Sequence, residues 1–367
     1  MSLMMNVAVL GAGNGGQAMA GYLATQGFNV RLWDRSLERL EPIIIQGGIT
    51  LTGKLSGFGA LKTISTELLE VLQDAQVIMV VTTADAHEDI ARRCVPFLQD
   101  GQVIVLNPGR TCGAMVFRQA LSEARLSARV YVAEAQSLVY ACRITGPAMV
   151  NVFGVKRLVP LAAMPAQDTP RVLESVQQMY SCFVGARDVI ETGLENIGAI
   201  FHPAIALLNA VRVEAADSFL FYQTMTPKVS LVVEKLDQER VAVGKAFGLH
   251  LTTAKDWVLR SYENVQGDTL YARMRSNPAY DGIEAPTSLE SRMFTEDVPT
   301  GLVPIAELAD LAGVDAHLCR ALVDLSSALC QRDFWAEGRT RKRLGIEGMQ
   351  AQDLVNWVTT GTTSHVL

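Results

Sequence analysis

The turn Gly11-Ala12-Gly13-Asn14-Gly15-Gly16 is where residue types and spacing first imply chemistry. Gly11, Gly13 and Gly16 fill the slots of G-x-G-x-x-G, between an apolar strand-like run and a stretch with helical spacing. The first glycine allows a tight turn, the second lets a pyrophosphate approach the backbone, and the third lets a helix pack close to a strand. N–H groups at the helix start, with the positive end of its dipole, then hold the diphosphate. Asp34 ends the next apolar run about 20 residues further on, where a carboxylate would accept from the adenosine ribose hydroxyls. It favours NAD(H), because it would repel a 2′-phosphate. Arg35 beside it could pair with that phosphate, which keeps NADP(H) open. Asn107-Pro108-Gly109 follows the carboxyl end of a later run, where the nicotinamide half belongs, and reads equally well as a plain turn.

A second set of residues could move protons and grip acids. Of five histidines, His202 alone precedes a proline in an apolar, interdomain setting. Histidine titrates near neutrality, so it could exchange a proton with nitrogen or oxygen at a carbon receiving hydride; a helix-junction filler is the alternative. Helical geometry is disfavoured before proline, and Pro203 suits a first helical turn, so His202 is expected at a helix entry. Arg292 lies in an irregular, Pro-bounded segment just ahead of Asp297. It could offer a bidentate fork to a carboxylate, or simply lie on the surface. Glu134, Tyr140 and Arg143 follow a strand expected at Arg129–Ala133, where substrate loops of α/β sheets gather. Arg143 could hold a second carboxylate, and a structural role fits each of the three as well.

The elements that must position these groups alternate in the first half. Strands are expected at Asn6–Leu10, Asn29–Trp33, Val77–Val81 and Gln102–Leu106, with helices at Gln17–Gln26, Glu67–Leu72, His87–Leu98 and Ala114–Ala124. Parallel neighbours need such crossovers, so the pattern predicts an α/β class with a doubly wound, Rossmann-type sheet. Pro160–Pro170 reads as a surface connection and Val189–Thr192 as a last strand. Helical spacing then dominates Pro203–Val233 and Leu236–Tyr262, and returns at Ile305–Ala312 and Ala316–Gln331 after an irregular stretch. The division expected is 1–190 for the dinucleotide-binding domain and 191–367 for an all-α domain carrying the chemistry.

Composition sets outer limits. With 367 residues, 49% of them hydrophobic and 19% charged, the chain can bury large cores, and a net charge of −6 argues against a dedicated nucleic-acid binder. The six cysteines form no CxxC pair or Cys/His cluster, so neither zinc site nor disulfide framework is expected. No apolar run approaches the ~20 residues of a membrane span, and the start lacks the features of a signal peptide. A cytoplasmic protein is expected, either monomer or homodimer.

Three further segments carry a resemblance: Leu194-Glu195-Asn196-Ile197-Gly198-Ala199-Ile200-Phe201-His202-Pro203, Arg292-Met293-Phe294-Thr295-Glu296-Asp297-Val298-Pro299 with Gly301-Leu302-Val303-Pro304 after it, and Ala133-Glu134-Ala135-Gln136 through Arg143. With the glycine turn, they make the chain resemble the opine dehydrogenases of octopine/nopaline type, over most of its length. Met293 departs from the aromatic that family members often carry. The resemblance implies reductive joining of an amino acid's amine to a 2-oxo acid with NAD(P)H, on a Rossmann domain followed by a helical domain like that of 6-phosphogluconate dehydrogenase. It makes His202 the acid/base, Asp297 its carboxylate partner and Arg292 the anchor for a substrate carboxylate, with Asn196 on the substrate side. Two rivals share the architecture. One is a 2-keto or 3-hydroxy acid reductase, whose relatives commonly use a lysine that the helix after His202 lacks until Lys228; the other is a non-enzymatic dinucleotide-binding regulator.

Overall fold

A computed structural model describes residues 5–362, which form two compact units. One runs to Thr192 and also takes in the chain from Asn356; the other spans Gly193–Val355. The segment from Asn356 therefore departs from the expected division, which gives it to the helical domain. It packs in the first unit, where Gln167 Nε2 donates to the Thr360 carbonyl at 3.1 Å.

The first unit contains β1 (Asn6–Leu10), β2 (Asn29–Trp33), β3 (Gly48–Gly53), β4 (Gly57–Ala60), β5 (Thr63–Ser65), β6 (Val77–Val80), β7 (Val103–Leu106), β8 (Tyr131–Ala135), β9 (Tyr140–Gly146), β10 (Met149–Val155), β11 (Val159–Met164) and β12 (Phe183–Gly185). Helices α1 (Asn14–Thr25), α2 (Leu37–Gln46), α3 (Leu68–Leu72), α4 (His87–Cys94), α5 (Gly113–Glu123) and α6 (Thr169–Val176) lie between them. The main sheet has the order β12-β11-β8-β7-β6-β1-β2-β5, parallel throughout except where β11 meets β8. The wholly apolar β6 and β7 are buried on both faces, as a doubly covered parallel sheet requires. The chain leaves β1 toward β2 and returns on β1's other side at β6, so the strand order reverses beside the glycine turn.

A second sheet, β4-β3-β10-β9, was not legible in the sequence. It packs against α1, which also lies against β1 and β2. The small residues of α1 permit this: a Cβ on Gly59 would lie 2.2 Å from the Gly21 carbonyl, and one on Gly21 would meet Ile49 and Leu51 at 3.1 Å. Most of α1 is therefore buried, including Gln17, whose Nε2 donates to the Ala12 carbonyl.

Three expectations are corrected. Pro160–Pro170 is no surface connection: β11 occupies its first five residues, with Leu161, Ala162 and Ala163 fully buried and Pro160 tolerated near the strand's start. Val189–Thr192 is helical, the opening of α7 (Val189–Leu194), because the buried Asp188 carboxylate caps it by accepting from Ile190 N (2.9 Å) and Glu191 N (3.0 Å). The strand expected at Arg129–Ala133 is β8, two residues later, which draws Glu134 into the sheet.

The second unit is helical: α8 (Gly198–Leu207), α9 (Ala210–Glu214), α10 (Pro227–Ala246), α11 (Ala254–Ser261), α12 (Leu270–Ser276), α13 (Arg292–Thr295), α14 (Val303–Ala312) and α15 (His317–Cys330), with shorter helices beyond. Arg240 on α10 is fully buried. Its guanidinium bonds Asp237, the Leu194 carbonyl (2.8 Å) and the Thr252 carbonyl (2.6 Å), while Glu195 accepts from Thr252 N at 2.8 Å. A buried charge is tolerated only when so satisfied, and this network fixes the segment leading into α8.

Candidate functional site

In the first unit the glycine turn fits a dinucleotide on three separate counts. Gly11 has φ +111°, and a Cβ there would lie 2.7 Å from the Val81 carbonyl. A Cβ on Gly16 would lie 1.7 Å from the Gly11 carbonyl, so helix and turn could not close with any other residue. A Cβ on Gly13 would meet nothing within 4 Å, which leaves room for a phosphate at the start of α1. Asp34 is buried, with Oδ2 accepting from Ala12 N (2.7 Å) and Oδ1 from Ser36 N (2.9 Å). It thus ties the end of β2 to the turn and keeps lone pairs for ribose hydroxyls. Arg35 is exposed beside it. The Asn14 side chain accepts from Ile144 N at 2.8 Å, so it anchors β9, while its backbone N–H stays at the head of α1.

Asn107 is fully buried after β7, joined to Pro108 by a cis peptide, with its side-chain oxygen accepting from Val139 N at 3.4 Å. Gly109 packs so tightly on Glu134 that a Cβ would lie 2.5 Å from it. Glu134 itself is fully buried, accepting from Ala114 N and from the Thr192 hydroxyl, each at 2.7 Å. An acceptor at the start of α5 is a structural use of a carboxylate. Tyr140 is buried as well. It is 5% exposed, its hydroxyl bonds that of Tyr180 at 2.8 Å, and burial holds the phenol far above its usual range. Arg143 stands exposed on β9, between Cys142 and Ile144, both of which bond Asn14 of the glycine turn.

In the second unit the structure brings together two residues that lie far apart in sequence. His202 Nδ1 is 2.8 Å from Asp297 Oδ2; the imidazole is one-quarter exposed, and the carboxylate is buried. His202 sits inside α8, not at its entry, and Pro203 follows it within the helix. Nearly every side chain of α8 is buried, so tertiary packing overrides the local preference of a residue preceding proline. Asp297 reaches the ring because Val298–Leu302 forms a π-helical turn against α8. Gly301 makes that approach possible, since a Cβ there would lie 2.6 Å from Ala199 Cβ. The buried Asn196 lies at the same contact, its Nδ2 3.7 Å from where that Cβ would be.

Arg292, on α13 just ahead of Asp297, has an exposed side chain whose Nη2 is 2.7 Å from the buried Glu296 carboxylate. One of its donors is so engaged, and a planar fork has five. Tyr222 is a neighbour that sequence reasoning missed: its hydroxyl is 3.1 Å from His202 Nε2. The available signal was the aromatic-rich run Phe219-Leu220-Phe221-Tyr222. Phe221 N donates to Ile283 O at 2.8 Å and Ala285 N to Phe219 O at 2.9 Å, which fixes that run. Among the described residues no helix is long and apolar enough to cross a membrane, and no group of three or more His, Cys, Asp or Glu could hold a metal ion.

The chain is similar to known proteins over most of its length. Residues 185–330 match the family model described as NAD/NADP octopine/nopaline dehydrogenase, alpha-helical domain. Residues 6–109 match the NAD-dependent glycerol-3-phosphate dehydrogenase N-terminus. The opine dehydrogenase of Arthrobacter sp. (strain 1C) is 38% identical over 94% of this chain and 96% of its own. A solved octopine dehydrogenase with NADH and L-arginine superposes with a TM-score of 0.81 at 22% identity, covering 99% of both chains. An NADP+-bound yersinopine dehydrogenase gives 0.75 at 14%, covering 98% of both. The fold is a Rossmann-type domain plus a helical domain, and the cofactor is a nicotinamide dinucleotide, with NAD(H) favoured by Asp34 and NADP(H) compatible. The chain belongs to the opine dehydrogenase family, NAD(P)H-dependent oxidoreductases that reductively condense an amino acid's amine with a 2-oxo acid.

Proposed function

We propose that this chain carries out that condensation with His202 as acid/base, Asp297 as its partner and Arg292 as anchor for a substrate carboxylate. The carrying observation is the 2.8 Å contact between His202 and Asp297. A carboxylate only accepts, so Nδ1 holds the proton and Nε2 presents a lone pair. His202 can then take a proton from an incoming ammonium group, freeing the amine to attack the keto carbon. It can return a proton as the hydroxyl leaves as water and the imine forms. Asp297 stabilises the imidazolium that exists between these transfers. Arg292, steadied by Glu296, uses its remaining donors on a carboxylate, which a lysine's point charge would orient less well. Bound at the glycine turn and Asp34, the reduced dinucleotide supplies the hydride.

The product carries a carboxylate on each side of its nitrogen, and Arg143 is the candidate for the second. Its support is an exposed guanidinium on the strand that Asn14 anchors to the glycine turn. Asn196 has an indirect part, supporting the α8 entry from a buried position. The test is a matrix of amino acids against 2-oxo acids, run with NADH and with NADPH. Turnover should require both partners and fall sharply in His202→Asn. Oxidation of NADH by the oxo acid alone, at a rate indifferent to amine, would instead identify a keto-acid reductase.

A further inference from the structure

We infer that Tyr222 is a positioning residue for His202, its hydroxyl holding Nε2 in the lone-pair form and fixing the plane of the ring. The inference rests on the proposed acid/base role of His202 and deepens it. The two ring nitrogens have partners of opposite character. Asp297 Oδ2, at 2.8 Å, can only accept from Nδ1, whereas the Tyr222 hydroxyl, at 3.1 Å from Nε2, can donate. Together they select one tautomer and hold the ring from both edges. Aspartate alone would leave the ring able to swing about its Nδ1 contact.

The tyrosine is itself held. It is 8% exposed, stacks on Tyr280 with centroids 4.1 Å apart and planes 21° apart, and meets Phe221 edge-on at 5.0 Å. Phe221 also lies 6.4 Å from the His202 ring, and Tyr262 packs edge-on to Tyr280 at 5.2 Å. The oxygen so mounted keeps its place, while rotation of its O–H clears the single Nε2 lone pair when substrate brings a proton. It can also adapt when the base is used. Once Nε2 takes a proton it becomes a donor, and the phenol oxygen turns from donor to acceptor without moving while Nδ1–H stays on Asp297. The same contact therefore serves both protonation states.

Tyr222→Phe removes only the hydroxyl and keeps the stacked ring. Steady-state kinetics should show kcat lowered about tenfold with both substrate KM values within about twofold. In ¹⁵N spectra of histidine-labelled protein, the Nε2 resonance of His202, assigned by its loss in His202→Asn, should move toward the position of an unbonded lone pair. Nδ1–H should remain bonded to Asp297. Should the Phe variant fail to fold, Tyr280→Leu, which removes the stacked support and keeps the hydroxyl, should move the same resonance in the same direction. An unmoved Nε2 resonance overturns the inference, whether or not kcat has fallen, because a merely structural tyrosine would lower activity without touching that signal. An unchanged kcat overturns it too. The spectra do not depend on turnover, so a wild-type protein inactive on every amine and oxo-acid pair would count against the proposed function and leave this result separate.

Discussion

Replacing Asp297 with asparagine is the sharpest perturbation of the proposed chemistry. The amide matches the carboxylate in volume, so no cavity opens at a position only 1% exposed. What disappears is the charge 2.8 Å from His202 Nδ1. A hydrogen bond to a charged partner contributes roughly 1.5–3 kcal/mol. If it is lost only when the imidazolium forms, kcat should fall by about 10- to 150-fold, at about 1.36 kcal/mol per factor of ten. KM should change little, because the carboxylate touches the base. Melting temperature should hold or rise slightly, since a buried amide costs less desolvation than a buried carboxylate. The assay is initial-rate NADH oxidation at saturating amine and oxo acid, for Asp297→Asn, His202→Asn and the double variant. Groups acting as one unit are non-additive, so the double variant should be no slower than His202→Asn alone. Wild-type kcat in Asp297→Asn, or losses that multiply in the double variant, would refute the pairing.

The remaining predictions test other parts of the molecule. Gly13→Ala should melt like the wild type yet bind NADH at least about tenfold more weakly by fluorescence titration, because its methyl enters only the open space meant for phosphate. Gly16→Ala should instead be strongly destabilised in a thermal melt, with its methyl forced to 1.7 Å from a backbone oxygen. Arg292→Lys keeps the charge and loses the fork, so KM for one substrate should rise about tenfold or more with kcat less affected. Burial pushes the Cys94 thiol from 9.0 up to about 12 and raises Cys319, Tyr140 and Tyr180 as well. The unfolded chain would release these protons first, so their contribution is complete below about pH 9 and is lost toward pH 12. Urea midpoints should accordingly fall across that alkaline range.

The first half of the fold was legible because buried parallel strands leave unbroken apolar runs, and β1 and β2 lie where the pattern predicts them. The second sheet was hidden for a physical reason. Its strands carry glycine and threonine, as in Gly48–Gly53 and Gly57–Ala60, and β3 pairs with β10 some hundred residues away. In the site, His202, Asp297 and Arg292 were reached through the family resemblance of their flanking segments. Tyr222 was not, because its relation to His202 is created by tertiary folding. The burial of Glu134 and Tyr140 was not legible for a simpler cause. A two-residue shift in β8 turns a loop-end carboxylate into an interior one, and β9, which buries Tyr140, was not foreseen.

The return of the chain from Asn356 to the first unit has a bearing on biosynthesis. Synthesis reaches the glycine turn before any of the second unit, but the unit containing the turn is finished only once the chain from Asn356 is made. The unit begun earlier is thus completed later, after Gly193–Val355 has emerged. Nascent chains halted before Asn356 should resist proteases less well in their amino-terminal half than the released protein does.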